Sequence, residues 1–569
     1  MAQASSQHAA RSAPTGHAAE TDVLIIGGGH NGLTCAAYLA KAGLSVRLLE
    51  RRGILGGAAV TEEFYPGFKN STASYTVSLL NPKVISDLNL HAHGLDVRER
   101  PMANFWPLGT DAGDYLDLPY GAEAARAAIA RLSEKDASRL DDYYNDLGRV
   151  ADVLKALILE TPPNLGGGIA AMVQALKAGR LISKLPLRDK QAVLDLFSVS
   201  AAEFLGRYFE HPAVLAAFGF DGIVGHFGSP YAPGTAYVLL HHAFGEVNGK
   251  AGVWGHAVGG MGAISGAIAA SARSYGAELL VNAEVSQLLT EQQRGKKAVV
   301  GARTTAGSTY RAKRVVIGLG PKRMMETMVP SGTFPQAFEE RMQAYVCHSG
   351  VLRMNVALSR LPNFSALPAG GPQMTAPDGS RVPAQLGSGI IIGPSLDYMD
   401  TAWRDARTHG WAQAPVVEML IPSLLDASLA PAGQHVASLF CQQFSYSLPD
   451  GRSWAEARAD AAEHVLATVE KYAPGFRASV LGYAALTPKD LEDTLSLSGG
   501  DIFHGRLSLD QMFSARPALG SADYRLPLNG LYLCGSGAHP GGGVTGVPGM
   551  MAARQILKDV RSSRWNPFA

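Results

Sequence analysis

Apolar residues gather in short, nearly unbroken runs at Asp22 to Ile26 (DVLII), Ser45 to Leu49 (SVRLL), Arg314 to Ile317 (RVVI) and Leu531 to Cys534 (LYLC). A strand buried on both faces reads this way, so these runs predict the centre of a parallel sheet. Between the first two, residues 33 to 42 (LTCAAYLAKA) are helix formers that stop at Gly43, which predicts strand–helix–strand. A second unit predicts a helix from Ala263 to Tyr275, a break at Gly276 and a strand, with an alternating stretch before Arg314. A third follows Cys534: a glycine-rich turn from Gly535 to Gly543, then a helix that begins between Thr545 and Gly549 and continues from Met550 to Leu557. Strands alternating with helices predict an α/β fold.

The turn after the first strand carries Gly27, Gly29 and Gly32 as G-x-G-x-x-G, and Glu50 closes the second strand. Gly27 allows the tight turn, Gly29 lets backbone approach a pyrophosphate, and Gly32 lets the helix pack close to the strand. His30 and Asn31 stand at the start of the helix, where unpaired N–H groups and the dipole favour phosphate. Glu50 is placed to accept hydrogen bonds from ribose hydroxyls. The context of strand, helix and acid predicts a dinucleotide site. The "GGMG" at 259 to 262 lacks a preceding apolar run and is not a second fingerprint.

Composition narrows the function classes. The chain has 569 residues, 47% hydrophobic and 17% charged, enough for a large core and for more than one domain. Net charge is +1, without the basic excess of a nucleic-acid binder. The four cysteines are scattered, with no C-x-x-C, which argues against a disulfide framework or a dithiol centre and for a reducing compartment. The cytoplasm is the expected location, or the mitochondrion in a eukaryotic source. Residues 1 to 20 lack an apolar core and are expected to form a disordered tail. No stretch is long and apolar enough to span a bilayer. Residues 169 to 190 place Ile169, Met172, Val173 and Leu176 on one helical face among basic residues. They read either as a helix resting peripherally on a membrane or as a solvated lid, and Pro186 favours the lid. There is no G-x-S-x-G, no H-E-x-x-H and no Cys/His cluster, so neither a hydrolase elbow nor a metal site is expected.

Six residues after Glu50 come Gly56 and Gly57. A glycine pair at that offset resembles FAD proteins of the glutathione-reductase-like superfamily, and 27 to 57 resembles the FAD site of the amine oxidase and phytoene desaturase group. The stretches "PGFKNSTASY", "GYAALTPKDLE" and "GGDIFHGRLSLDQMFSARP", with G-x-H-P-G-x-G ending at Gly543, extend the resemblance to bacterial-type phytoene desaturases over nearly the whole chain. It implies FAD as cofactor. Many members carry a basic residue where this chain has Ala58, and Arg51 or Arg52 is the candidate substitute. Val285 matches the position whose backbone pairs with adenine. Gly535 precedes Ser536 where many flavoproteins have an acid. Gly546 and Val547 begin the helix aimed at the flavin's pyrimidine side. His539 is the candidate catalytic acid/base, or it only shapes the loop before Pro540. Tyr75 lines the flavin pocket or belongs to the core, and Asp510 and Gln511 face substrate or are structural.

The resemblance implies a Rossmann-like FAD-binding domain of glutathione reductase/amine oxidase type, from 21 to 100, 252 to 345 and 500 to 569, with an inserted mixed α+β substrate domain from 101 to 251 and 346 to 499. It implies a phytoene desaturase-like oxidoreductase that oxidises an apolar small molecule by hydride transfer to flavin, with the electron acceptor unspecified. A flavin amine oxidase, a redox-neutral isomerase and an FAD-bound regulatory or assembly protein with little turnover stand as alternatives. The oligomeric state, a homo-oligomer included, stays open.

Overall fold

The computed structural model describes residues 11–12, 17–164, 168–242 and 245–564. The apolar runs assemble side by side into one six-stranded sheet, in the order Arg11–Ser12, Glu278–Val281, Val46–Leu49, Val23–Ile26, Val315–Ile317 and Leu531–Leu533. Every neighbouring pair is parallel. Val23–Ile26 lies at the centre with Ile25 facing Leu48 on one side and Val316 on the other, and all four of its residues are buried. Burial on both faces is why these strands read as continuous apolar runs. The helix His30–Lys41 packs between helices Met261–Ser274 and Val547–Arg564. It begins three residues earlier than its composition suggests, because Gly29 is extended and serves as the N-cap.

A four-stranded sheet flanks this unit in the order Val285–Gln293, Lys296–Thr304, Thr309–Ala312 and His17–Thr21. The last strand corrects the expectation of a disordered tail to residue 20. His17 and Ala18 pair in parallel with Thr309 and Tyr310, so backbone hydrogen bonding supplies the order that side-chain composition did not announce. Residues 1–10 and 13–16 of that expected tail lie outside the described residues.

The segments 101 to 251 and 346 to 499 contribute a seven-stranded sheet: Val480–Leu486, Val351–Leu358, His435–Phe444, Trp411–Leu420, Gly389–Ile392, Asn104–Pro107 and Tyr115–Leu118. It is antiparallel except where Gly389–Ile392 meets Asn104–Pro107. Alternation sends Leu352, Met354, Leu439 and Val417 towards the helix Trp454–Tyr472 on one face. Val351, Phe440 and Val416 point instead to a helical layer that includes Glu134–Ile158 and Pro212–Gly219.

The basic amphipathic stretch divides into two helices, Gly168–Ser183 and Leu187–Ser198, with Pro186 as N-cap of the second. Met172, Val173 and Leu176 are exposed, while the side chain of Ile169 lies outside the described residues. Among the described residues no helix is long and apolar enough to cross a membrane.

Candidate active site

A groove opens at the carboxyl ends of Val23–Ile26 and Val46–Leu49, the usual ligand position in a parallel α/β sheet. Gly27, Gly29, His30, Asn31, Glu50, Arg51, Gly57, Ala58 and Val285 line it, joined by Ser536 and His504 from the far end of the chain. No side chain caps the N-terminus of His30–Lys41, which leaves its first N–H groups for a ligand. The helix after "GGMG" is closed by contrast. Gly259 N–H donates to Asp426 at 2.6 Å, Met261 N–H to Ser71 at 3.0 Å and Gly262 N–H to Thr61 at 3.0 Å.

The glycines of the fingerprint divide by what surrounds them. A Cβ on Gly32 would lie 2.2 Å from the Gly27 carbonyl oxygen, inside the fold. A Cβ on Gly29 would meet protein only at Gly57 Cα, 4.0 Å away, so its open side is the groove. Gly57, at φ +60°, would place a Cβ 2.9 Å from Gly29 Cα, and Gly56 N–H donates to the Gly28 carbonyl at 2.8 Å. The glycine pair therefore lets a second loop lie directly on the fingerprint turn. Gly56 itself faces Ala59 and Val60 rather than the groove.

Glu50 is buried. One carboxylate oxygen accepts from Gly28 N–H at 2.7 Å and the other from Arg52 N–H at 2.9 Å. It thus fixes the turn as well as lining the groove. Arg51 lines the groove but donates through Nη2 to the Asp493 carbonyl at 2.7 Å and to the Thr494 carbonyl, tying the groove wall to the helix Pro488–Leu495. Arg323, which the sequence reading did not single out, also lines it and adds positive charge. Asn31 Nδ2 donates to Ser536 Oγ at 3.1 Å, and Asn31 Oδ1 is buried without a partner among the described residues. Free helix N–H groups, an unpartnered amide oxygen and a Cβ-free wall at Gly29 fit a bound dinucleotide.

The C-terminal glycine loop meets this groove through Ser536. Gly535 packs on the Gly318 backbone, where a Cβ would come within 2.5 Å of the carbonyl oxygen, and Gly546 faces Val84 and Thr34. Val547 is buried at the start of the last helix and lines a different cavity. Arg516, fully buried, holds the loop down. Its Nε donates to the Ser536 carbonyl at 3.1 Å, and Nη1 to the carbonyls of Gly505 at 3.2 Å and Gln511 at 3.0 Å. Its Nη2 donates to the Ser536 and Phe503 carbonyls.

A chamber adjoins the groove, sharing His30, Ala58, His504 and Ser536 with it and adding Gly543 and Val544 from the glycine loop. Its far wall is polar, and of its residues only Tyr75 was expected near the flavin. Tyr75 donates its hydroxyl to Glu418, and its ring stacks on Phe440 at 5.1 Å with the Arg353 guanidinium 4.6 Å over its face. Arg353 is fully buried and reaches Leu439 O and Ser438 Oγ. Arg100 donates to Thr76 and lies over the Trp254 ring at 5.5 Å. Burial pushes the Glu418 carboxyl up, against the pull of Arg100 and Arg353. Burial also lowers His30 to about 4 and His504 to about 3, so both are neutral imidazoles. The sequence carried one signal for this wall: Asp221, Arg353 and Glu418 are single charges inside apolar runs (GFDGIV, VLRMNV, VVEML).

His539 is not brought to the groove or the chamber. Its Nε2 is 3.2 Å from the Leu157 carbonyl oxygen, and its ring lines an apolar cavity of about 560 Å³ on the other side of the glycine loop. The helix Glu134–Ile158 ends beside the loop and takes the imidazole, a contact between distant segments that no local pattern encodes. Gln511 is structural, with both amide atoms on the backbone of Val346 at 2.8 and 2.9 Å. Asp510 pairs with Arg506 and Arg341.

The model of flavin-containing amine oxidoreductases matches residues 32–352. The chain belongs to this family. The pyridine nucleotide-disulfide oxidoreductase domain-containing protein 2 of Rattus norvegicus is 38% identical over 562 residues, covering 95% of this chain and 94% of that protein. A lycopene-forming phytoene desaturase of Paracoccus sp. is 24% identical, covering 95% of this chain and 98% of that one. The solved cyclohexylamine oxidase of Brevibacterium oxydans shares the fold with a TM-score of 0.52 at 16% identity, covering 95% of this chain and all of that one. The α/β fold expected from the sequence is the fold of this family, the protein is an oxidoreductase, and its cofactor is FAD.

Proposed function

We propose that the protein is an FAD-dependent dehydrogenase or desaturase of an apolar small molecule, in the manner of the phytoene desaturase among its relatives. In this reading the groove takes the FAD. Gly27, Gly29, His30, Asn31 and Gly57 surround the diphosphate, Glu50 takes the ribose and Val285 the adenine, while Ser536 and the loop through Gly543 meet the flavin end. Gly32, Gly56, Gly535 and Gly546 act by letting these segments approach each other. When bound, FAD supplies a two-electron acceptor for a hydride. The chain's own residues bind, orient and exclude water. Glu50→Ala is expected to weaken FAD binding about ten- to hundredfold, since a buried acceptor of two backbone N–H groups is lost with the ribose contact; equilibrium titration of the apoprotein with FAD checks it.

One observation carries the substrate class. The chamber and the 560 Å³ apolar cavity share Ser78, Leu79 and Leu80 in their walls, so a large apolar volume lies beside the flavin end. The amine-oxidase alternative needs an open aromatic face for the amine. Here the Tyr75 face is already covered by Arg353, which leaves no open face on that ring for an ammonium. The test is anaerobic mixing of the FAD-loaded protein with detergent-dispersed phytoene, with cyclohexylamine and with NADPH, followed by flavin absorbance. Bleaching by the hydrocarbon alone is expected. Rapid bleaching by cyclohexylamine would move the protein to the amine oxidases, and rapid bleaching by NADPH would reveal a nicotinamide site.

A further inference from the structure

Removal of two hydrogens from a molecule needs two acceptors. One hydrogen leaves with its bonding pair as hydride for the FAD, and the other leaves as a proton that some group must take. The chamber contains few groups free to do so. Tyr75 is engaged as donor to Glu418. Arg100 and Arg353 hold carbonyl and hydroxyl partners and carry no basic lone pair. His30 Nε2 is 3.2 Å from the Gly543 carbonyl oxygen. His504 Nδ1 is buried without a partner among the described residues, but burial and then the Arg516 charge lower this imidazole to about 3, which makes it a weak base. Asp221 is different. It sits on the turn Phe220–Gly222, lines the chamber, and makes no hydrogen bond or ion pair with the described residues. Although it lies deep in the fold it keeps some accessible area, which belongs to the chamber.

We propose that Asp221 is the proton acceptor of the oxidation, an assignment that rests on the oxidoreductase reading above. As one substrate C–H bond gives up its hydride to the oxidised cofactor, a neighbouring C–H bond releases its proton to the Asp221 carboxylate. The electron pair left behind becomes the new carbon–carbon double bond. Charge balances, because hydride and proton leave together and the substrate stays neutral. Proton return to solvent regenerates the carboxylate.

The surroundings suit this task. Glu418 faces Asp221 from Trp411–Leu420, Tyr143 and Tyr144 face it from Glu134–Ile158, and Arg100 and Arg353 share the chamber. Burial, and then the Glu418 charge, push the Asp221 carboxyl up to about 7. The competent form is the carboxylate, so competence increases as pH rises through about 7.

The test begins with the oxidised, FAD-loaded protein and no substrate. Its flavin absorption is titrated across neutral pH, and infrared difference spectra follow the protonated carboxyl band. One transition with a midpoint near 7 is expected in both, absent in Asp221→Asn and moved to lower pH in Glu418→Gln, which removes the negative neighbour. A transition that survives in Asp221→Asn, or a wild-type protein with none, overturns the proposal. With a donor that reduces the wild-type flavin, Asp221→Asn should slow reduction by about 10²–10⁴-fold and Asp221→Glu should recover part of it; an unchanged rate in Asp221→Asn overturns the proposal as well. A protein that takes up no FAD would refute the oxidoreductase reading, and the infrared band would still report on Asp221 in that preparation.

Discussion

Gly29→Val is expected to give a folded protein that carries no FAD. The backbone at Gly29 is extended, at φ −66° and ψ 164°, which any residue adopts, and a Cβ there touches no protein atom closer than 4.0 Å. The valine methyls therefore enter the groove and leave the core intact. Overpacking of that kind costs about 1–3 kcal/mol, a loss of roughly ten- to hundredfold in affinity, and more where the ligand cannot shift. Gly32→Val is the contrasting variant. Its side chain would drive into the Gly27 carbonyl oxygen at 2.2 Å, so it should lose the helix–strand contact and with it the fold. The ratio of flavin to protein absorbance, read beside the thermal unfolding transition, separates the two. A flavin-replete Gly29→Val protein would move the phosphates elsewhere.

Arg516→Met should cost about 1–3 kcal/mol of stability for each buried carbonyl it leaves unpaired. The side chain satisfies carbonyls of Phe503, Gly505, Gln511 and Ser536 from within the fold, and methionine leaves all four without that donor. Those carbonyls belong to two segments, one from Phe503 to Gln511 and the loop at Ser536, so the variant should also loosen Ser536 at the groove and weaken FAD binding. Arg516→Lys should recover only part, because an ammonium cannot span the positions a planar guanidinium reaches. Urea denaturation of the FAD-free proteins checks the stability term. An unchanged midpoint would show that the loop is held by packing alone.

The strand–turn–helix units were readable because each is local: Val23–Ile26, Gly29 and His30–Lys41 are consecutive, and full burial writes itself as an unbroken apolar run. The glycine pair was recognisable by resemblance, but its reason, contact of Gly57 with Gly29, is visible only in three dimensions. The chamber wall was not legible as a site. Asp221, Arg353 and Glu418 lie in three separate segments, and a single charge in an apolar run shows that something compensates it without showing what. His539 failed for a related reason. Its place in a flavin-facing loop is a property of the backbone, whereas its ring turns to the end of a helix almost 400 residues upstream. His17–Thr21 escaped because an added edge strand depends on hydrogen bonding rather than on side-chain pattern.

The order of strands in the parallel sheet bears on how the protein is made. Val23–Ile26 and its neighbour Val46–Leu49 emerge early from the ribosome, yet the neighbour on the other side, Val315–Ile317, appears hundreds of residues later, and Leu531–Leu533 later still. At about 5–20 residues per second Val23–Ile26 waits on the order of half a minute for this second partner. During that time the edge of the strand away from Val46–Leu49 lies unpaired, and the cofactor groove lacks its Ser536 wall until synthesis is nearly complete. A chain interrupted before Leu531–Leu533 therefore lacks both the sixth strand of the sheet and the Ser536 wall of the groove.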